Sequence, residues 1–307
     1  MTKISVNQLA SFTGHKSGIY TLEKAGEASI FYSSGGDGMM VEWNAAAPEK
    51  GQVRATVPNQ VFSMLRLPEK QLLLLGQLQG GIHLLDQVKH QEIKLLQAHA
   101  SAVFQIFRLK NQPGYFFSIG GDGRLLKWNT AQMAVEKHIQ VSAESLRVAL
   151  FLPKSNLLAI GASDNHIYLL DADTLTIKHQ FKAHDNSVFA LTATKDEKYL
   201  ISGSRDAHIR VWKLSENCEF CHSIPAHLFT VNDLAISPDG KWLISGSRDK
   251  TIKIWDADTF EILKVIDKDK FKGHVNSVNR LCWLNNTTFI SAGDDRAIIL
   301  WQINENQ

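Results

Sequence analysis

Five histidines, His15, His99, His184, His227 and His274, are each followed 17 to 19 residues later by a serine and, four residues beyond it, by an aspartate. The serines are Ser33, Ser118, Ser202, Ser245 and Ser291; the aspartates are Asp37, Asp122, Asp206, Asp249 and Asp295. Hydroxyl, imidazole and carboxylate are the groups of a nucleophile, its base and an orienting acid. Their multiplicity argues against that chemistry, because an enzyme does not need five copies of one triad. Each set also ends, six residues after the aspartate, in a tryptophan: Trp43, Trp128, Trp212, Trp255 and Trp301. An indole N–H adds a donor that catalysis by a triad does not need. A buried carboxylate requires donors, and imidazole, backbone amide, hydroxyl and indole can satisfy one another in a chain. The sets therefore read as structural networks.

A second candidate is Cys218-Glu219-Phe220-Cys221-His222, the spacing used for covalent haem attachment. It falls where an outer strand is expected, and strand residues three apart point to opposite faces. The same argument weakens zinc, which needs four convergent ligands. Cys282 reads as a core residue. His83, His90, His138, His166, His179, His208 and His222 are scattered without ligand spacing, and no phosphate loop or nucleophile elbow occurs. No metal, cofactor or catalytic residue is assigned.

The elements that position these sets repeat. Trp43, Leu85, Trp128, Leu170, Trp212, Trp255 and Trp301 follow one another at intervals of 42, 43, 42, 42, 43 and 46 residues. Each closes an alternating strand such as Ile209-Arg210-Val211-Trp212. A small residue (Gly14, Ala98, Ala183, Ala226 or Gly273) precedes each of the five histidines. Seven units of this period are the signature of a β-propeller. The chain resembles the WD40 repeat family, whose blades carry a hydrogen-bonded His–Ser–Asp–Trp tetrad. The resemblance covers essentially the whole chain and implies an all-β, seven-bladed propeller within residues 2–305.

Units two (around 57–90) and four (around 142–175) depart from the pattern. Their tetrad positions read Val57, Leu75, Gln79, Leu85 and Ser142, Ile160, Asp164, Leu170. Replacing buried partners together is nearly neutral, whereas removing one strands the others. Unit two is accordingly expected to have no polar network, and Asp164 to cap its own turn. The seventh unit lacks a fourth strand, while residues 4–12 precede the first Gly-His without a blade of their own. They are expected to supply strand d of the last blade, which closes the ring and removes two open edges. Asp267-Lys268-Asp269-Lys270 accounts for the longest interval and reads as a solvated loop.

With 33 basic and 31 acidic residues, the net charge of +2 gives no general pull toward nucleic acid or anionic membrane. No apolar run approaches the roughly 18 residues of a membrane span, and the first residues lack the apolar core of a signal peptide. Three cysteines do not make a disulfide framework. The expectation is a cytoplasmic protein, monomeric alone, that binds a protein or peptide partner.

In the family, partners commonly dock on the face carrying the loop before strand a, around the central channel. Three offsets per blade line that face. The first gives Tyr20, Phe62, Phe104, Arg147, Phe189, Asn232 and Asn279. The second gives Gly18, Gln60, Ala102, Ser145, Ser187, Thr230 and Ser277, and the third gives Gly36, Leu78, Gly121, Ser163, Arg205, Arg248 and Asp294. Four of the seven first-offset residues are aromatic in a chain that is 9% aromatic, and a fifth is arginine. Aromatics there either fill space between blades or form a recognition surface, since aromatics and arginine dominate binding hot spots. Arg205 and Arg248 would extend its positive side, with Asp294 across the ring from them. The resemblance thus implies a non-catalytic scaffold or adaptor; a dedicated short-peptide reader is the alternative, and an enzyme using the central pocket the rival of another class.

Overall fold

The computed structural model describes residues 4–26, 29–48, 51–97, 99–214 and 218–305, so Thr2 and Ala98 lie outside the described residues. Apolar residues make short strands, the middle ones buried on both faces and the outer ones largely exposed. Among the described residues these assemble into seven four-stranded antiparallel sheets. The innermost strands are Ile19–Lys24, Val61–Leu67, Val103–Phe107, Leu146–Leu152, Val188–Ala193, Val231–Ile236 and Val278–Trp283. Each packs beside the next and the last beside the first, so the sheets form a closed ring around a channel.

Closure uses the N-terminus. Ile4–Thr13 pairs antiparallel with Ala297–Glu305, from Ile4 opposite Glu305 to Thr13 opposite Ala297, with a bulge at Leu9. This strand is the outer strand of the last blade, as the sequence implied. Phe12 is buried and meets Phe31 and Trp43 edge-on at 5.4 and 5.6 Å, tying the last blade to the first.

Strand periodicity sends successive residues to opposite sides of each blade. In the second blade, Leu72 and Leu74 face the seam with blade three, while Leu73 and Leu75 face the seam with blade one. Seven apolar clusters result, one in each seam. Leucine at positions 85 and 170 keeps these seams filled without the indole.

Two expectations are corrected. The charged insertion is no plain loop: Lys268–Phe271 forms one helical turn, capped by Asp267, which accepts from the Lys270 N–H at 2.8 Å. Nor is blade two free of a polar network. His83 is buried and bonds Gln77 at 3.1 Å through Nε2 and Glu92 at 2.9 Å through Nδ1, and Asn59 donates to Gln77 at 3.0 Å. These residues lie outside the tetrad offsets. In blade four Asp164 does cap its turn, accepting from the His166 N–H at 3.0 Å, but it also accepts from Ser142 and Tyr168 hydroxyls.

Candidate functional site

All five tetrads form. Each His Nδ1 meets its aspartate at 2.8–2.9 Å, and each Nε2 meets its serine at 2.7–2.8 Å. Each indole N–H donates to the same serine oxygen at 2.7–2.9 Å. An ionised carboxylate only accepts, so Nδ1 carries the proton and the serine hydroxyl donates to Nε2. All five serines are fully buried, so no hydroxyl is presented to a substrate. The aspartates also accept from the backbone N–H of Lys16, Ala100, Asp185, Leu228 and Val275, the residues that follow the histidines. Burial alone would raise Asp206 and Asp249, but hydrogen bonds from His184 and His227 hold them well below the ordinary carboxylate range. The tetrad thus straps the loop before strand a to the turn between strands b and c.

A backbone bond makes the same connection in all seven blades. The N–H of Gly36, Leu78, Gly121, Ser163, Arg205, Arg248 and Asp294 donates to the carbonyl of Gly18, Gln60, Ala102, Ser145, Ser187, Thr230 and Ser277 at 2.8–3.0 Å. The second and third offsets are therefore stitched together, and blades two and four present the same face as the others despite lacking full tetrads.

The first offset falls on a β-bulge in each inner strand. The strand register shifts across Tyr20, Phe62, Phe104, Arg147, Phe189, Asn232 and Asn279, which have no residue opposite them. A fully buried aliphatic residue precedes each: Ile19, Val61, Val103, Leu146, Val188, Val231 and Val278. It anchors the strand, and the bulge re-aims the next side chain. These seven, with Arg280, line one cavity of about 180 Å³ at the channel mouth.

The cavity has three sectors. Tyr20 stacks on Phe62 at 5.2 Å, and Phe62 meets Phe104 at 5.6 Å. Arg147 lies between Phe104 and Phe189, its guanidinium carbon 4.3 and 5.2 Å from the ring centroids. Its Nε donates to Ser163 at 2.8 Å. The polar sector is partly committed to the fold. Asn232 donates to Ser277 and to the Val278 carbonyl, and Asn279 to the Ile19 carbonyl, and these three bonds bridge neighbouring blades. Asn279 also donates to Asp294 of its own blade. A side chain at Gly36 or Gly121 would begin 3.5 or 3.4 Å from the Tyr20 or Phe104 ring, so glycine leaves those rings open.

Arg205, Arg248 and Asp294 are exposed on the surrounding rim. Asp294 sits on the seventh blade, beside the sixth blade that carries Arg248 rather than across the ring from it. The sequence reading missed Arg280, whose Nε donates to the Tyr20 carbonyl at 2.8 Å. It also missed Leu228 and Phe229, exposed on the loop leading into the strand of Asn232.

The two thiols of the Cys-x-x-Cys segment diverge. Cys218 precedes the strand Glu219–Pro225 and packs with Trp212 between blades four and five, whereas Cys221 packs between blades five and six. Burial pushes the Cys218 thiol up to about 12, which leaves it a poor nucleophile and ligand.

Comparison with known proteins agrees with this architecture. The family model described as WD domain, G-beta repeat matches residues 175–213, 218–256 and 267–302. The THO complex subunit 6 homolog of Danio rerio is 25% identical over 123 residues, 36% of this chain and 38% of that protein. Ribosome biogenesis protein ytm1 of Aspergillus niger is 26% identical over 215 residues, 66% of this chain and 40% of that protein. The chain thus spans about two fifths of the length of these curated relatives. Among solved structures, the WD40 β-propeller domain of Doa1 matches 98% of this chain and 97% of that one, with a TM-score of 0.83 at 20% identity, a likeness of fold. Repeat, tetrads and ring together make this chain a seven-bladed WD40-repeat β-propeller.

Proposed function

We propose that the chain is a non-catalytic scaffold that docks a protein or peptide partner on the face around the channel mouth. One observation carries this reading: seven separate bulges aim their residues into a single cavity, and five of these residues are four aromatic rings and one arginine. Its volume of about 180 Å³ is below the 300–1,000 Å³ typical of small-molecule sites. It suits one side chain of an extended partner segment. Aromatic faces favour an apolar or cationic group, and Arg147 favours a neighbouring carboxylate.

The names of two relatives support an assembly role. One relative is a THO complex subunit 6 homolog, and another is a ribosome biogenesis protein. The three cysteines are free thiols, which fits a reducing compartment, and the cytoplasm is the compartment in this proposal. The test is affinity purification from the native source, followed by binding titrations of the recovered partners. Phe104→Ala and Phe189→Ala should each weaken binding by about 2 kcal/mol or more. Lys110→Ala, on an exposed residue outside the cavity, is the control. Partners that bind both phenylalanine variants as wild type refute the reading.

A further inference from the structure

The repeats serve as internal controls for what the fold itself requires. In every tetrad blade the residue after the histidine gives its backbone N–H to the aspartate, so its side chain is free to vary. That residue and its successor are Lys16 and Ser17 in the first blade, Ala100 and Ser101 in the third, and Asp185 and Asn186 in the fifth. They are Val275 and Asn276 in the seventh. In the sixth blade they are Leu228 and Phe229, 83% and 58% exposed. Nothing in the shared backbone geometry asks for two large apolar residues in water at this step.

The charges around this step are unbalanced. Arg205 and Arg248, on the turns between strands b and c of the neighbouring blades five and six, have no carboxylate partner among the described residues. The nearby acids are engaged: Asp185 with Arg210 at 2.9 Å and Lys182 at 3.4 Å, Asp294 with Asn279 at 2.7 Å, and Asp249 with His227 at 2.9 Å. Arg205 is close enough to Arg147 that, after burial, its charge is what presses on the Arg147 guanidinium. An outside anion would relieve this crowding.

We propose that Leu228 and Phe229 are the apolar anchor of a docking surface for an acidic peptide segment of a protein partner. The segment's carboxylates face Arg205 and Arg248, and one bulky apolar side chain covers Leu228 and Phe229. This rests on the docking face assigned above but moves its anchor from the channel mouth to the rim of blade six. Rim charges of this kind act chiefly on association rate and on salt dependence.

The test pans a phage-displayed random peptide library against the full chain and measures the affinities of the enriched peptides. Peptides with acidic residues flanking one bulky apolar residue are expected. Their affinity should fall about thirtyfold or more in the double variant Leu228→Ser, Phe229→Ser, and should also fall in Arg248→Glu. An unchanged melting temperature in each variant excludes misfolding. Enriched peptides without acidic residues overturn the proposal. Peptides that bind the double variant as wild type but lose affinity for Phe104→Ala overturn it while leaving the channel-mouth reading standing. A library that enriches nothing overturns both.

Discussion

The guanidinium of Arg147 lies 4.3 Å from the centre of the Phe104 ring, with Phe189 on its far side, so one cation is held between two π faces. No carboxylate is paired with it among the described residues, and its Nε is fixed by Ser163. Burial, and then the neighbouring Arg205, lower its pKa. Arg147→Met should therefore leave the melting temperature nearly unchanged, since it removes both an interaction and a repulsion. It should weaken an acidic partner by about 2 kcal/mol. Arg147→Lys should recover only part of that loss, because an ammonium lacks the planar stacking surface. Calorimetric titration of the three proteins with one partner separates these outcomes.

Ring closure gives a second prediction. Residues 4–13 contribute an entire strand of the last blade, and Phe12 fills the seam with the first. Deleting residues 2–12 removes that ladder and opens a strand edge on the last blade. The truncated protein should elute as oligomers or aggregate in size-exclusion chromatography, and a monomer with unchanged melting temperature would contradict this.

The blade networks give a third. Asp206→Ala leaves His184 Nδ1 and two backbone N–H groups without an acceptor and should cost about 1–3 kcal/mol. In blade two the matching sensitivity lies at Gln77 rather than Gln79. Gln77→Ala leaves the buried His83 Nε2 without a partner and Asn59 with only its 3.4 Å bond to Gln79, and should cost a similar amount. Gln79 is exposed, and its alanine variant should stay within about 0.5 kcal/mol of wild type. Urea denaturation of the three variants checks the order.

The repeat period and the tetrads were legible in the sequence because one network recurs at fixed offsets. Blade two's network was not, because Gln77, His83 and Glu92 occupy positions that are ordinary strand sites in the other blades. The convergence of Tyr20, Phe62, Phe104, Arg147 and Phe189 followed from their offset, but the cause, a bulge in every inner strand, leaves no mark in residue type. Arg280 was missed because it stands one residue beyond that offset. Leu228 and Phe229 were missed because an apolar pair in sequence reads as core, and only the folded loop shows it facing water.

Acid should weaken the tetrads. Burial lowers His184 and His227 below the ordinary histidine value, so the unfolded chain binds their protons more readily. Their contribution is present above the unfolded pKa of about 6.5 and is lost as pH falls below it. Asp206 and Asp249, also lowered, withdraw theirs below about pH 4. Stability measured by denaturant titration should fall in these two stages, and His184→Gln should reduce the first.

Glu23 acts in the opposite direction. It sits on the first inner strand against the channel, accepting from the Arg66 N–H at 3.3 Å. Burial pushes its carboxyl from 4.5 up to about 7, against the pull of that N–H and of the Arg66 and Lys24 charges. A raised folded pKa means the folded state holds a proton that the unfolded chain has released. This contribution is full below the unfolded value and is lost as pH rises through about 7. Glu23→Gln keeps the acceptor oxygen and removes the charge, so it should stabilise the protein by about 1–3 kcal/mol near pH 8. Near pH 4 it should do little, because the wild-type carboxyl is then neutral in the fold. Urea midpoints for both proteins across this range decide the matter: a gain that does not grow with pH would mean that Glu23 stays ionised in the folded channel.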